Sequence, residues 1–395
     1  MPPSPFAPLW PLEPSVLHLN HGSFGACPTA ILEHQRRLRD ELEREPTDFL
    51  VRRLPERLAQ ARAELGAFVG AGADDLAFVT NATGGVNAVL RSLELAPGDE
   101  LLTTDHAYGA CRRALEYVAG RAGARVVVAP LPFPLEQAEQ LIEPLLAAVT
   151  PRTRLALIDH VTSPTALVLP VERLVPALRA RGVETLVDGA HALGMLPLDL
   201  DALGAGYYTA NAHKWLCAPK GAAFLHVRRD LQGAIHPLVI SHGFDAGAGA
   251  ARFRAEWEWT GTRDPTAWLA VPECIRYLGA LLPGGWRELM ARNRALCLAA
   301  RARLAARLGQ PAPAPDPLIG AIASLPLPAA PPSAPCSRLG HEELADWARE
   351  RGVETWFHSW PPAGGKLVRV SAQLYNDASQ YERLAELVGE ALDGA

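Results

Sequence analysis

Lysine is rare in this chain, and two of its three lysines stand in one short stretch, NAHKWLCAPKG, at residues 211–221. Arginine stays charged in proteins, whereas a lysine taken out of water can lose its proton and form a Schiff base. Trp215, Leu216 and Cys217 give Lys214 apolar neighbours, which favour the neutral amine. Lys214 is therefore a candidate for amine chemistry, and a solvated surface lysine is the alternative.

A carboxylate and a histidine follow a second apolar run. Asp188 ends the run TLVD, and His191 comes three residues later in VDGAHALG. This pair suits a cofactor ring that needs an anion at one edge and a hydrogen-bond donor at another. A helix-capping aspartate with a surface histidine is the alternative.

A threonine and two glycines begin a helical stretch after another apolar run, in NATGGVNAVL at residues 81–90. The free backbone N–H groups and the dipole of a helix N-terminus favour an anion such as a phosphate. Thr83 is thus a candidate phosphate ligand, and a simple helix cap is an equal alternative. No GK[ST] follows, so the stretch is not a P-loop.

Arg369 stands in a strand-like run, LVRVSAQ, near the end of the chain. An arginine that faces a cleft from a strand can bind a carboxylate through two parallel hydrogen bonds, while an exposed strand arginine is the alternative. Together, a phosphate site, an aspartate with a histidine, a lysine and a late arginine match what pyridoxal 5′-phosphate and an amino-acid substrate require. The sequence therefore predicts this cofactor.

The elements that must position these residues are alternating strands and helices. Nearly continuous apolar strands separated by helices predict a mostly parallel α/β sheet that is covered on both faces. Ligands of such sheets bind beyond the carboxyl ends of the strands, where Thr83, Asp188 and Lys214 stand. The predicted strands are 76–80, 100–104, 125–130, 154–159, 185–188, 207–210 and 222–227.

Three regions are expected along the chain. An N-terminal arm covers residues 1–15, and a large domain covers 16–270. A small C-terminal α+β domain covers 271–395 and begins with a long connecting helix at about 271–309. The Pro-rich stretch at 331–340 is predicted to be a surface loop.

Composition excludes several classes of protein. The 395 residues are 49% hydrophobic and 21% charged, as in an ordinary soluble globular protein. The net charge of −5 gives no electrostatic case for nucleic acid, and no apolar run is long enough to span a bilayer. The N-terminus lacks the pattern of a signal peptide, so we expect a cytoplasmic protein.

The six cysteines are far apart and form no CxxC pair, which predicts reduced, buried thiols and no metal site. His213 and Cys217 are four residues apart, but no zinc motif accompanies them. A binding protein without catalytic activity is a further alternative, and absence of a yellow cofactor colour would favour it.

The chain resembles the class V aminotransferase superfamily of fold-type I pyridoxal-phosphate enzymes, in the branch of isopenicillin N epimerase and the cysteine C–S lyases. HKWLCAPKG and LNHGSFG are specific, whereas NATGG alone is not. The resemblance implies the fold-type I fold, with a mostly parallel seven-stranded sheet in the large domain, and a homodimer whose active sites are shared. The motifs in chain order are LNHGSFGACP (19–28), DHAYGACRR (105–113), VDGAHALG (187–194), NAHKWLCAPKG, WTGTRDPTA (259–267) and RVSAQLYN (369–376).

The resemblance also implies roles around the cofactor ring. Lys214 would bind the cofactor aldehyde and move the Cα proton. Asp188 would pair with the pyridine nitrogen, and His191 would donate to the phenolic oxygen. His106 aligns with the ring-stacking histidine of cysteine desulfurases, but Tyr108 could stack instead, and both are kept as candidates.

Other implied roles concern the phosphate and the substrate. Thr262 would reach the phosphate of the neighbouring subunit. Arg369 would bind the substrate carboxylate, with Asn20 and His21 near the substrate. The residues implied to hold the phosphate are Ala82, Thr83, Asn211 and His213.

The chain differs from the cysteine desulfurases at one position that matters for the type of reaction. These enzymes carry a nucleophilic cysteine on a loop shortly before the carboxylate-binding arginine, and no cysteine stands between residues 352 and 368 here. A cysteine desulfurase, which forms a persulfide on that loop cysteine, is therefore not expected. We favour a C–S β-lyase acting on a cysteine-derived sulfoxide or conjugate. An epimerase, which needs a second proton-transfer group such as Tyr108, His106 or a water, and a transaminase are the alternatives.

Four side chains, Trp356, Phe357, His358 and Trp360, are predicted to line a pocket for a bulky substrate side chain or, equally, to form part of the core of the small domain.

Overall fold

The computed structural model describes residues 4–247, 249–361 and 364–393. The first three residues of the predicted arm and the last two of the predicted small domain lie outside the described residues. The strands are β1 (Leu17–His18), β2 (Leu76–Val79), β3 (Glu100–Thr104), β4 (Arg125–Ala129), β5 (Thr153–Asp159), β6 (Glu184–Asp188), β7 (Tyr207–Asn211), β8 (Ala223–Val227), β9 (Ile322–Pro326), β10 (Val353–Glu354), β11 (Trp356–Trp360) and β12 (Gly365–Ser371).

Helices connect and cover these strands. A π-helical segment, Asp48–Arg53, leads into the third α-helix. The α-helices are α1 (His21–Phe24), α2 (Thr29–Arg44), α3 (Leu54–Val69), α4 (Ala82–Ser92), α5 (Gly109–Ala122), α6 (Glu139–Ala147), α7 (Val171–Arg179), α8 (Leu200–Leu203), α9 (Gly249–Glu258), α10 (Thr266–Leu269), α11 (Val271–Gly279), α12 (Gly285–Arg307), α13 (Pro335–Arg338), α14 (His341–Glu350) and α15 (Ala378–Asp393).

The large sheet has seven strands in the order β2-β8-β7-β6-β5-β3-β4. From β7 to β4 each neighbouring pair is parallel, whereas β8 is antiparallel to both of its neighbours. The predicted mostly parallel seven-stranded sheet is confirmed, and each predicted strand matches its observed bounds to within a residue.

Both faces of the large sheet are buried, which explains why its strands read as continuous apolar runs. On β5, Leu155 and Leu157 enter one core, which α4, α5 and α9 cover. The alternate residues Ala156 and Ile158 point to the opposite face and enter the other core, which contains residues of α2, α3, α6 and α7. The carboxyl ends of β5, β6 and β7 are consequently held at one edge by two layers of helices.

A smaller antiparallel sheet, in the order β11-β12-β9, forms the C-terminal part of the fold. The N-terminal segment is joined to this part, because β1 pairs with β10 through Leu17 and Val353. The amide of Ser371 donates to the carbonyl of Leu19 at 3.0 Å and extends the connection. The residues that follow Leu19 therefore lie beside the end of β12.

The C-terminal region differs from the sequence prediction in three places. The expected single helix at 271–309 is α11 and α12, because Pro283 has no N–H to donate and Gly285 has a φ of 61°. The expected surface loop at 331–340 contains α13, with Cys336 buried. Strand β11 was not predicted, because the sequence WFHSW does not alternate between apolar and polar residues.

All six cysteines are buried and unpaired, as the sequence predicted. In the part of the chain that the structure describes, no helix is both long and apolar enough to cross a membrane. Over the same residues, His, Cys, Asp and Glu side chains form no group of three or more that could hold a metal ion.

Candidate active site

A cavity of about 160 Å³ lies at the edge of the large sheet where β5, β6 and β7 end. Strand ends of a parallel sheet converge at one edge, so residues far apart in sequence meet there. The predicted residues that line the cavity are Ala82, Thr83, Tyr108, Asp188, His191, Asn211, His213 and Lys214.

Lys214 projects into this cavity from the turn that follows β7. Burial and the charge of Arg369 together lower the pKa of its amine to about 8, and the carboxylate of Asp188 acts in the opposite direction. Its Nζ lies 3.2 Å from Nε2 of His191. A substantial fraction of neutral amine is therefore present near neutral pH, as nucleophilic or base chemistry requires.

The hydrogen bonds of His191 identify its tautomer. The indole N–H of Trp215 can only donate, and it lies 3.4 Å from Nδ1 of His191. Nδ1 is thus the acceptor and Nε2 carries the proton, which points toward Lys214. Burial holds the pKa of His191 well below its ordinary value, so the ring is neutral and offers one N–H to the cavity.

Asp188 ends β6 with its carboxylate buried. Its Oδ1 accepts from the backbone N–H of Ala190 at 3.0 Å, and its Oδ2 accepts from the thiol of Cys111 at 3.2 Å. Burial raises the pKa of Asp188, while these two hydrogen bonds and the charge of Lys214 oppose the rise. The arrangement provides a fixed anion that a cationic ring nitrogen could meet.

The N-terminus of α4 forms the opposite end of the cavity. Oδ1 of Asn211 accepts from the N–H of Ala82 at 2.9 Å, and Oδ1 of Asn81 accepts from that of Gly84 at 2.8 Å. Among the described residues, no hydrogen bond occupies the N–H or the hydroxyl of Thr83. Thr83 therefore offers two donors to an anion, whereas Ala82 already has a partner.

His213 lies beside this helix end. Its Nδ1 donates to the carbonyl of Ala222 at 3.0 Å, so Nε2 is the nitrogen available to a ligand. Burial lowers the pKa of His213 to about 4 in the protein without ligand. A bound phosphate would favour the protonated ring and raise that pKa.

Arg369 is buried on β12 and has no acidic partner among the described residues. It donates to the carbonyl and hydroxyl oxygens of Ser163 at 3.0 and 3.2 Å, to the hydroxyl of Ser23 at 2.6 Å and to Oδ1 of Asn20 at 3.3 Å. Its Nε is buried and has no hydrogen-bond partner in the part of the chain that the structure describes. Burial lowers its pKa to about 10, so the guanidinium still keeps its charge at neutral pH. The site therefore contains a buried positive charge that no carboxylate of the described residues balances.

Asn20 and His21 serve neighbouring groups in the structure. Asn20 accepts from Ser23 at 2.6 Å as well as from Arg369, and thereby orients the guanidinium. His21 is fully buried, with Nε2 donating to the carbonyl of Lys214 at 3.0 Å and Nδ1 accepting from Tyr375 at 2.9 Å. His21 thus braces the backbone of the lysine and does not line the cavity.

The two candidates for ring stacking are in different environments. His106 is fully buried, its Nδ1 bonds Thr165 at 2.8 Å, and its Nε2 bonds the carbonyl of Leu131 at 3.1 Å. It does not line the cavity, and its ring contacts Trp360 edge-on. Tyr108 lines the cavity and is 46% exposed, so its ring is available to a ligand.

Thr262 lies outside the cavity of its own chain. It is exposed in the loop between α9 and α10. The adjacent Arg263 stacks on Trp268 at 4.2 Å and donates to the carbonyl oxygens of Trp257 and Glu258, which orders the loop.

Sequence reasoning missed several residues of the site. Asp159 ends β5 and lines the cavity, and the rule used for Asp188, a polar residue after a parallel strand, would have found it. Ser23 and Ser163 touch Arg369, and Cys111 touches Asp188. These three have no local sequence signal, because their partners are far away in the chain.

These groups fit pyridoxal 5′-phosphate. The cofactor would meet an amine at Lys214, an anion at Asp188, an N–H at His191 and the free donors of Thr83. The substrate carboxylate would meet the charge of Arg369, whose buried Nε has no hydrogen-bond partner among the described residues. The fit rests on the free donors of Thr83 and on the polar groups that line the cavity.

Comparisons with known proteins identify the family. The family model for class V aminotransferases matches residues 46–384. Isopenicillin N epimerase of Amycolatopsis lactamdurans is 39% identical over 394 residues, covering 96% of each chain. L-cysteine desulfhydrase of Arabidopsis thaliana is 29% identical over 415 residues, covering 96% of this chain and 88% of that protein.

Solved structures share the fold. A cystine C–S lyase in complex with its product cysteine persulfide matches with a TM-score of 0.77 at 22% identity, covering 95% of this chain and 97% of that one. At this identity the likeness speaks for the fold alone.

Proposed function

This chain belongs to the class V aminotransferase family and is a pyridoxal-phosphate enzyme that acts on an amino acid, and we propose that it is a C–S β-lyase for a cysteine-derived substrate. The proposed substrate is a cysteine conjugate or sulfoxide. Loss of the Cα proton and of the sulfur group on Cβ would lead, after hydrolysis, to pyruvate and ammonia.

The observation that carries this proposal is that one site contains both a buried cation that lacks a carboxylate, Arg369, and a neutral amine, Lys214. A buried guanidinium without a carboxylate is costly unless a ligand supplies one, and an amino acid has one to supply. Arg369 donates to Ser163 and Ser23, and both serines line the cavity into which Lys214 projects. An amino acid bound through its carboxylate would therefore present its Cα close to the neutral amine.

Each residue would have a defined task in this reaction. Arg369, oriented by Ser163 and Ser23, would bind the carboxylate, and Lys214 would take the proton from Cα. When bound, pyridoxal phosphate supplies an electron sink for the charge left on Cα. Asp188 would stay ionised at the ring nitrogen, and His191 would donate its Nε2–H to the phenolic oxygen.

The remaining contacts would hold the cofactor in place. Thr83 would bind the phosphate directly, and His213 would do so through Nε2. Asn211 would act through Ala82, whose N–H it already accepts. Tyr108 would stack on the ring, while His106 would support the same loop from inside the core.

An epimerase of the isopenicillin N type is the second candidate. Epimerisation needs a proton-transfer group on each face of Cα, and the phenol of Tyr108 stands at the cavity together with the amine of Lys214. The relative with 39% identity supports this reading, and the desulfhydrase relative supports the lyase. A lyase needs only one base and a route out of the site for the leaving group. Tyr108 and Phe24 line the cavity and are exposed, so the cavity reaches the protein surface beside them.

Products formed in D₂O separate these reactions. The enzyme would be incubated with cysteine, S-substituted cysteines, their sulfoxides and a 2-oxo acid, and followed by NMR and chiral chromatography. Pyruvate with a released sulfur compound is the expected result. Deuterium at Cα of both enantiomers without elimination would replace the lyase by the epimerase, and a new amino acid made from the 2-oxo acid would indicate a transaminase.

The scarcity of lysine permits a sharp test of the cofactor site. Borohydride reduction of the yellow protein followed by peptide mapping should label Lys214 and neither Lys220 nor Lys366, the other two lysines of the chain. Lys214→Ala should lose the label and the activity. Lys220→Ala is the matched control, because it removes the neighbouring lysine of the same stretch and should keep both.

We also propose that the protein is a homodimer in which each active site contains residues of both subunits. We further propose that the protein is cytoplasmic. An apolar exposed segment, Leu238–Ile240 with Phe244, supports self-association, and Thr262 is exposed in a loop from which it could reach a partner's phosphate. The unpaired cysteines suit a reducing compartment. Ile240→Glu should shift the mass measured by light scattering toward the monomer, whereas Val51→Glu, at another exposed apolar residue, should not.

The arrangement of the sheets supports a proposed division into a large domain (16–270) and a small domain (271–395), preceded by the arm at 1–15. The seven-stranded sheet lies within the first and the three-stranded sheet within the second. Expressed alone, neither part would retain the site, because Arg369 and Lys214 come from different domains.

A further inference from the structure

Two buried carboxyl groups end neighbouring strands under the candidate active site. Asp159 is the last residue of β5, Asp188 is the last residue of β6, and the two are partners in the parallel register. Each is less than 5% exposed, and both line the cavity. Two carboxyl groups on paired residues of neighbouring strands in a buried site cannot both ionise without a large cost in free energy, so they titrate as a pair.

The hydrogen bonds of the two groups are unequal. Asp188 accepts from the N–H of Ala190 and from the thiol of Cys111, and both contacts stabilise its ionised form. Among the described residues, none donates a hydrogen bond to the carboxyl group of Asp159, although the backbone N–H groups of Tyr108 and of Asp159 itself are close enough to oppose the rise of its pKa. The negative charge is therefore better placed on Asp188 and the proton on Asp159.

Other charged groups near the pair do not reverse this order. Lys214 is the cation that faces both carboxyls, and Cys111 faces Asp188 as a thiol. Burial and the charge of Asp188 raise the pKa of Asp159 well above its ordinary value, and burial also raises the pKa of Asp188. Burial beside these acids also raises the pKa of Cys111, so the thiol keeps its proton and donates.

We propose that Asp159 and Asp188 share one proton and one negative charge, with the proton on Asp159, and that Cys111 is the positioning residue that keeps the charge on Asp188. The proposal rests on the proposed function, in which Asp188 meets the ring nitrogen. Asp159 then offers an O–H, rather than an anion, to the ligand in the cavity.

A single negative charge on the carboxyl pair also helps to keep the amine of Lys214 neutral. A second carboxylate would attract the ammonium form of Lys214 and raise its pKa, since buried charges interact strongly. A protonated Asp159 avoids this effect and still fills the position with a hydrogen-bonding group. Asparagine has nearly the same shape and no charge, so Asp159→Asn should reproduce the native state.

Infrared spectroscopy of the full chain without cofactor tests the protonation directly. The wild type at neutral pH should show the carbonyl stretch of a buried protonated carboxylic acid, and Asp159→Asn should lack it. If that band is absent from the wild type or survives in Asp159→Asn, the assignment of the proton is wrong. This readout requires neither cofactor nor turnover.

Pyridoxal-phosphate titration tests the role of the pair toward the cofactor. Asp188→Asn should weaken binding at least about tenfold, because it removes the negative charge, whereas Asp159→Asn exchanges one neutral donor for another and should weaken binding by a clearly smaller factor. Equal weakening in both variants would mean that Asp159 carries charge, and would overturn the proposal. If even the wild type forms no yellow complex, the proposed function fails, while the infrared result still decides the carboxyl pair.

Cys111 is tested by removal and rescue. Cys111→Ala should weaken cofactor binding up to about tenfold and shift the pH midpoint of the cofactor absorbance, because Asp188 loses one donor. Cys111→Ser restores a donor and should recover most of the affinity. Cys297→Ala is the control for deleting a buried thiol, and equal effects of Cys297→Ala and Cys111→Ala, without rescue by serine, would assign Cys111 a packing role only.

Discussion

Nζ of Lys214 lies 3.2 Å from Nε2 of His191, a nitrogen that carries a proton because Nδ1 of the same ring accepts from Trp215. Nε2 can therefore donate to the lysine only if the amine presents a lone pair. This contact acts in the same direction as burial and the charge of Arg369, which lower the pKa of Lys214 to about 8. Three separate features of the fold thus favour the neutral amine.

The lowered pKa of Lys214 should reduce the free energy of unfolding of the protein without cofactor. A lysine with a folded pKa of about 8 and an ordinary value of 10.5 is destabilising wherever both states are protonated, by about 3 kcal/mol. Between these two pH values the unfolded chain binds more protons, so the stability of the wild type should rise with pH. Lys214→Met should be more stable by up to about 3 kcal/mol at pH 7, and the difference should vanish by about pH 10.5.

Urea unfolding of both proteins across this pH range measures the difference. Lys366→Met, at the lysine outside this stretch, is the comparison for a general effect of lysine removal. A constant difference between wild type and Lys214→Met from pH 7 to 10.5 would contradict a lowered pKa.

Arg369 should control binding of the substrate carboxylate and leave cofactor binding unchanged. Arg369→Lys keeps the charge but loses the planar pair of donors, so KM should rise about tenfold to a hundredfold for amino acids. An amine analogue without the carboxylate should bind wild type and variant equally well. The pyridoxal-phosphate dissociation constant is the control, and a matching rise there would place Arg369 at the cofactor instead.

The strands and the residues at their ends were predictable because both signals are local. An apolar run followed by Asp188 or by Asn211 reveals a strand end without any knowledge of the fold. The partners of Arg369 were not predictable, since Ser163 is 206 residues away and Ser23 is 346 residues away in sequence. Such contacts depend on how the N-terminal segment pairs with β10, for which a two-residue strand gives almost no pattern.

The choice between His106 and Tyr108 shows a second limit. The two residues are two positions apart in the loop before α5, and both are aromatic or imidazole rings suited to stacking. Only the fold separates them, because Thr165 and Leu131 engage the nitrogens of His106 inside the core. Sequence spacing does not reveal which of two neighbouring side chains faces the cavity.

Gly25 should be essential to the geometry around Lys214. Its φ is 69°, and a Cβ there would lie 2.0 Å from the carbonyl oxygen of His213 and 2.9 Å from Cα of Lys214. With a ψ of 165°, Gly25 has a backbone conformation that is essentially restricted to glycine. Gly25→Ala should thus cost more than the roughly 1–3 kcal/mol of this conformation alone, and should weaken cofactor binding. Gly98→Ala is the matched control, with a φ of 87° and no atom within 4 Å of the added Cβ. Equal losses of melting temperature in both variants would show that the contact with His213 does not matter.

Thr262 offers the most direct test of a shared active site. Because it is exposed and lies outside the cavity of its own chain, Thr262→Ala should weaken cofactor binding only if the residue serves a partner's site. A mixed dimer of Lys214→Ala with Thr262→Ala would contain one site with both substitutions and one site with neither.

Mixing and refolding the two variants should therefore restore native cofactor affinity and turnover to about half of the sites in mixed dimers. If Thr262 acted within its own chain, every site would carry one substitution and no native site would form. The result is read from the tight phase of a cofactor titration, with each variant alone as the reference. A mixture that only averages the two variants would contradict the shared site while leaving the roles of Lys214 and Arg369 intact.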